Sequence, residues 1–180
     1  MAAPMAAPVT APAVDIDVLV QTEAWTTAVP AAVEICRRAA AAALRLGDPA
    51  LPAGEASICL ADDAFVRKLN HRYRGQDRPT NVLSFAGMTG AERAAAGRDG
   101  RPVTFGDIVV AYETTAAEAE DEAKGVAEHL SHLVVHGMLH LLGYDHETRA
   151  EAEAMERLET ETLASLGVAD PYAAAGDSGD

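Results

Sequence analysis

The chain has 180 residues, about one domain's worth, and its 49% apolar and 23% charged residues exclude wholesale disorder. Fourteen basic against 28 acidic side chains give a net charge of −14, which excludes a general nucleic-acid-binding surface built by neutralising phosphates. The two cysteines, Cys36 and Cys59, stand singly, so neither a disulfide framework nor a thiolate zinc site is expected.

Residues 1–12 are an Ala/Pro leader without Lys or Arg, expected to be disordered and unlike a signal peptide. No apolar run of about 18 residues could span a membrane, and the cytoplasm is the expected compartment. Val14 to Val20 alternates apolar and acidic residues, the period of a half-buried strand. Ala31 to Leu46 carries Val33, Cys36, Ala40 and Leu44 at helical spacing and stops at Gly47. Ala56 to Leu60 alternates again. Asp62 is placed to cap a helix whose Phe65, Leu69 and Tyr73 stack on one face, ending near Gly75.

Thr80 to Phe85 and Asp107 to Ala111 read as two further strands, with a loop or long hairpin connection from Gly87 to Thr104. Helices follow at Thr114 to Glu122, Val126 to Leu142 and Glu147 to Leu166, the last with a stripe of Met155, Leu158, Thr162 and Leu166. The order predicts an α+β fold: a small mixed four-stranded sheet packed with about five helices. The expected organisation is one catalytic metallohydrolase domain over 13–168 and a loose tail over 169–180.

Chemistry concentrates in the stretch HGMLHLLGYDH. His136 and His140 are four residues apart, so on a helix they differ by roughly 40° and 6 Å and can meet one ion. A continuing helix would carry His146 about 15 Å beyond His136 and onto another face. Gly143 removes that obstacle, because glycine takes the left-handed conformation that ends a helix and reverses the chain. Three neutral imidazoles at the end of a central helix leave one position open for water, the arrangement of a catalytic zinc, one ion per chain. Water so bound reaches a pKa of roughly 7, and metal-assisted hydrolysis follows as the reaction class.

Metzincin proteases share this ligand spacing but keep a glutamate after the first histidine as general base. Here that residue is Gly137, so a metalloprotease is the weaker alternative. His132 lies four residues before His136 on the same face and lines the pocket, caps it from behind the ligands, or serves as a fourth ligand, which would mark a structural metal. Asp145 either orients an imidazole or caps the helix beginning near Glu147.

Five of the fourteen basic residues, Arg67, Lys68, Arg72, Arg74 and Arg78, fall within twelve positions that hold Asp77 as the lone acid. Arginine offers bidentate donors suited to phosphate. Beside a hydrolytic metal, this patch points to phosphodiester binding.

The stretches LNHRYRGQDRPTNVLSF, FGDIVV and HGMLHLLGYDH together resemble the YbeY family of endoribonucleases, from about Ile58 to Tyr172. The resemblance implies a zinc-dependent hydrolase of single-stranded RNA that matures the 3′ end of small-subunit ribosomal RNA and serves ribosome quality control. It implies zinc on His136, His140 and His146, and a functional Arg74 near the metal. It also implies partners: single-stranded ribosomal RNA, small-subunit ribosomal proteins or an Era-type GTPase. The alternative is a non-enzymatic ribosome assembly factor with structural zinc. One departure stands out, Ala86 where the family commonly has proline after LSF, followed by a Gly/Ala-rich insert.

Overall fold

The computed structural model describes residues 14–173. The leader over 1–12 and the part of the tail beyond Ala173 lie outside the described residues. In chain order the elements are β1 (Val14–Val20), α1 (Ala24–Ala28), α2 (Ala32–Gly47), β2 (Gly54–Ala61), α3 (Asp63–Arg74) and β3 (Val82–Ala86). They continue with α4 (Gly90–Arg98), β4 (Val103–Ala111), α5 (Tyr112–Asp121), α6 (Val126–Leu142) and α7 (Arg149–Ser165).

The four strands form one mixed sheet in the order β1-β2-β4-β3. β1 and β4 run parallel to β2, and β3 pairs antiparallel with β4. The fold is α+β as expected, but the described residues hold seven helices rather than about five. α1 has only five residues, too few to show a helical period. α4 replaces the expected loop, and its sign was the capping box Thr89-x-x-Glu92, in which each residue satisfies the other's backbone N–H.

α6 is apolar nearly all round, and such a helix belongs in the interior. Leu130, Val134, Val135, Met138, Leu139 and Leu141 are all buried. Each such side chain stabilises the fold by about 1.5–3 kcal/mol relative to exposure. α2 packs beside α6, and the buried alanines Ala39, Ala40 and Ala43 let the two helices approach closely. Ile58, Leu60, Ile108 and Val110 present the matching sheet face. On the opposite face α3 covers Leu83, Val109 and Ala111 through Val66, Phe65 and Leu69. Asp62 caps α3, its carboxylate accepting from the Phe65 N–H at 2.7 Å.

At Gly137, α6 packs tightly against the sheet. A Cβ there would stand 3.0 Å from Ile108 Cδ1 and 3.1 Å from Ser84 Oγ. Overpacking costs about 1–3 kcal/mol, whereas Gly→Ala in a helix returns about 1 kcal/mol. Ile108 is fully buried beneath the helix and has little room to move. Gly137→Ala is therefore expected to destabilise the protein by about 1 kcal/mol, measurable by urea denaturation.

Among the described residues, no helix is long and apolar enough to cross a membrane.

Candidate metal centre

The last two turns of α6 carry His136 and His140, and Gly143 then adopts φ 101°, the left-handed cap anticipated from the sequence. Tyr144 N–H returns to the Leu139 carbonyl at 3.0 Å, the cross-turn bond of a reversed helix end. The chain doubles back and brings His146 to the other two. One ligand nitrogen from each of the three imidazoles lies within 4.8 Å of the others.

The partners of the ring nitrogens define what this cluster can do. His136 Nδ1 meets Glu159 Oε1 at 2.5 Å, and His140 Nδ1 meets the Tyr144 carbonyl at 2.9 Å. Both partners are acceptors, so each Nδ1 carries the proton and each Nε2 keeps its lone pair. The two Nε2 atoms face each other at 3.0 Å. Ligands of a tetrahedral zinc at about 2.0–2.1 Å stand about 3.3 Å apart. Burial pushes His140 below the usual histidine pKa, and the neighbouring His136 adds to this. Bare, neutral nitrogens converging at this distance suit a divalent cation. The three histidines can hold a metal.

Glu159 was not anticipated. It is 1% exposed, accepts from His136 and from the Tyr172 hydroxyl, and has His132 Nε2 at 3.9 Å. Burial alone would raise its pKa, but His132, His136 and Tyr172 converging on it hold the carboxyl at about 2. It is thus a carboxylate at neutral pH, fixing the His136 tautomer and ring. The available signal was a charged residue on the apolar stripe of α7, one turn after Met155. Glu159→Gln should weaken metal affinity by about 10–100-fold, as read by competition with a chromogenic chelator.

His132 lies behind the ligands, edge-on to both His136 and Tyr172, and is not one of the converging three. Asp145 does not cap the next helix. Thr148 does, with Glu151 completing the box, because their T-x-x-E spacing fits the first turn of α7. Asp145 instead accepts from the His146 N–H at 2.8 Å and lines the metal cavity.

That cavity, of about 390 Å³, is lined by Arg74, Ser84, His136, His140, Asp145 and His146, among others. The structure brings Arg74 to it from the end of α3. The rest of the basic patch goes elsewhere. Arg67 makes a two-pronged pair with Asp77 at 2.7 and 2.8 Å, Arg72 lies over the Tyr73 ring, and the exposed Lys68 does not line the cavity. Arg78 lines an adjoining cavity that also includes Arg74.

The family model described as endoribonuclease YbeY matches residues 16–167. The chain belongs to the YbeY family. A YbeY relative from Paramagnetospirillum magneticum is 52% identical over 161 residues, covering 88% of this chain and 96% of its own. One from Azorhizobium caulinodans is 50% identical over 160 residues, with the same two coverages. Both carry the name endoribonuclease YbeY. The solution structure of TM1509 from Thermotoga maritima shares the fold, with a TM-score of 0.50 and 24% identity over 92% of this chain and 99% of that one.

In this YbeY-family chain the insert after Ala86 has a structural use. Arg93 of α4 is 7% exposed and donates to the carbonyls of Leu141 at 3.0 Å and Leu142 at 2.8 Å, and to Met88 at 2.7 Å. It occupies the last carbonyls of α6, the negative end of the helix. The turn between His140 and His146 is thereby braced from outside the metal motif.

Proposed function

We propose that this chain is a zinc-dependent endoribonuclease acting on single-stranded RNA, in the maturation of the small-subunit ribosomal RNA 3′ end and in ribosome quality control. The observation that carries the reading is one cavity shared by three converging imidazoles and an arginine. When bound by His136, His140 and His146, zinc supplies a Lewis acid that activates water at neutral pH. Glu159 and the Tyr144 carbonyl hold two of the imidazoles in the required tautomer. Arg74 presents guanidinium N–H groups to the scissile phosphate and to the charge that develops on it. The position that bears a peptidase's glutamate is Gly137, which abuts Ile108 and Ser84 and leaves no room for that side chain. This supports phosphodiester over peptide hydrolysis.

The test is cleavage of a labelled single-stranded RNA by the zinc-loaded protein, against the same strand in a duplex. Chelation should abolish cutting while circular dichroism shows the fold retained. If the folded, metal-free protein instead sustains ribosome maturation in cells, the assembly-factor reading replaces this one.

The net charge of −14 implies weak affinity for arbitrary RNA. With Arg74 and Arg78 neutralising about two phosphates at the α3 end, the log–log salt dependence on single strands should have a slope of about −1.5. A slope beyond about −6 would reveal a larger basic surface. Selectivity then comes from partners, a basic small-subunit ribosomal protein or an Era-type GTPase, facing the acidic surfaces of α5 and α7.

A further inference from the structure

Beside the metal cavity is a second one of about 280 Å³, lined by Asn70, Arg74, Gln76, Arg78, Asn81 and Glu118, among others. Arg74 belongs to both walls, so whatever occupies the second cavity lies next to whatever reacts in the first. Its volume is just below the about 300–1,000 Å³ of drug-sized sites, room for one nucleotide and not a strand.

The hydrogen-bonding capacity of the lining is unevenly spent. Asn70 is 2% exposed; its Nδ2 donates to the Arg78 carbonyl at 2.8 Å, while its Oδ1 has no partner among the described residues. A buried acceptor left unpaired is costly and calls for an explanation. Glu118 accepts from Asn81 Nδ2 at 3.2 Å on Oε1 and 3.0 Å on Oε2, and from His129 Nε2 at 2.7 Å on Oε2. A carboxylate has about four acceptor sites, so Oε1 retains one. The Gln76 carbonyl is already taken by the Arg78 guanidinium. On the less exposed wall what remains free is acceptors, Asn70 Oδ1 and one site on Glu118, while the exposed Gln76 amide N–H groups, the Thr80 hydroxyl and the cations Arg74 and Arg78 stand at the rim.

We infer that this cavity is a nucleotide subsite for the residue adjoining the scissile phosphate, and that it prefers a base bearing an exocyclic amino group over uracil. Adenine and cytosine present amino donors on the edges that proteins read, and guanine offers N1–H and N2–H. Uracil offers a single N3–H between two carbonyls, and those carbonyls would face Asn70 Oδ1 and Glu118. The phosphate charge falls to Arg74 and Arg78. The inference rests on the endoribonuclease reading above, and names the feature of RNA that the same site selects.

Binding and cutting test it separately. In calorimetric titrations of the zinc-loaded protein, 5′-CMP should bind about tenfold or more tightly than 5′-UMP. Glu118→Gln, which places an amide donor where only acceptors stood, should bring the ratio close to one. Arg78→Ala removes an exposed side chain and should weaken both nucleotides alike, leaving the ratio intact. Cleavage of a randomised single-stranded RNA, mapped by sequencing, should show uridine depleted at one position beside the cut, and Glu118→Gln should erase the depletion.

Equal affinity for the two nucleotides in the unmutated protein overturns the inference. So does inorganic phosphate binding as tightly as 5′-CMP, which would mark an anion site alone. RNA cleavage without any base preference overturns the subsite and leaves the endoribonuclease reading standing. Selective 5′-CMP binding without RNA cleavage upholds the subsite and overturns that reading instead.

Discussion

His146→Ala is expected to yield a folded protein that has lost both its zinc and its RNA cleavage. Of the three converging histidines it is the cleanest to remove. His136→Ala would also strip the buried Glu159 carboxylate of its ring donor, and His140→Ala would release the Tyr144 carbonyl. His146 is exposed and its ring makes no other hydrogen bond among the described residues, so its loss should change stability by no more than about 0.5 kcal/mol. Metal content should fall from one ion per chain to a small fraction, and kcat by at least the about 10²–10³-fold that loss of one electrostatic contact costs. Elemental analysis and a fluorogenic single-stranded RNA read the two effects. Stoichiometric zinc with full activity in this variant would show that the ligand set is wrong.

Arg74→Ala should separate chemistry from metal binding. Arg74 is exposed at the end of α3 and takes part in no ion pair among the described residues, so the variant should melt with the unmutated protein and keep its zinc. Cleavage should drop by about 10²–10³-fold. Arg74→Lys should recover only part of this, because an ammonium restores the charge without the planar two-pronged donor. Unchanged cleavage by Arg74→Ala would remove the residue from the reaction.

The parts of the site that were legible in the sequence are those fixed by local geometry. His136 and His140 at helical spacing, and Gly143 at the point where the chain must reverse, need only the pitch of a helix and the conformational range of glycine. Glu159 supports His136 from 23 residues away. Its place on the apolar stripe of α7 marks it as facing inward, but only tertiary packing decides that it meets His136. The basic patch shows the same limit. Composition revealed five cations between Arg67 and Arg78, but which of them reaches the histidine cavity depends on how α3 ends beside β3. Sheet order was illegible for a related reason, since β4 inserts between β2 and β3 through pairings between strands far apart in sequence. α4 is legible in the capping pair Thr89 and Glu92, although Gly87, Gly90, Gly97 and Gly100 in and around it also read as a loop.

The hold of Glu159 and Tyr172 on His136 also sets an order of events during synthesis. All three converging histidines have been made once His146 is added, yet the tyrosine that fixes Glu159 follows 26 residues later. At about 5–20 residues per second that interval is about one to five seconds, and the exit tunnel shields the last segment for longer. A nascent chain paused at Leu166 therefore holds all three histidines and Glu159, and lacks only the tyrosine that secures that carboxylate.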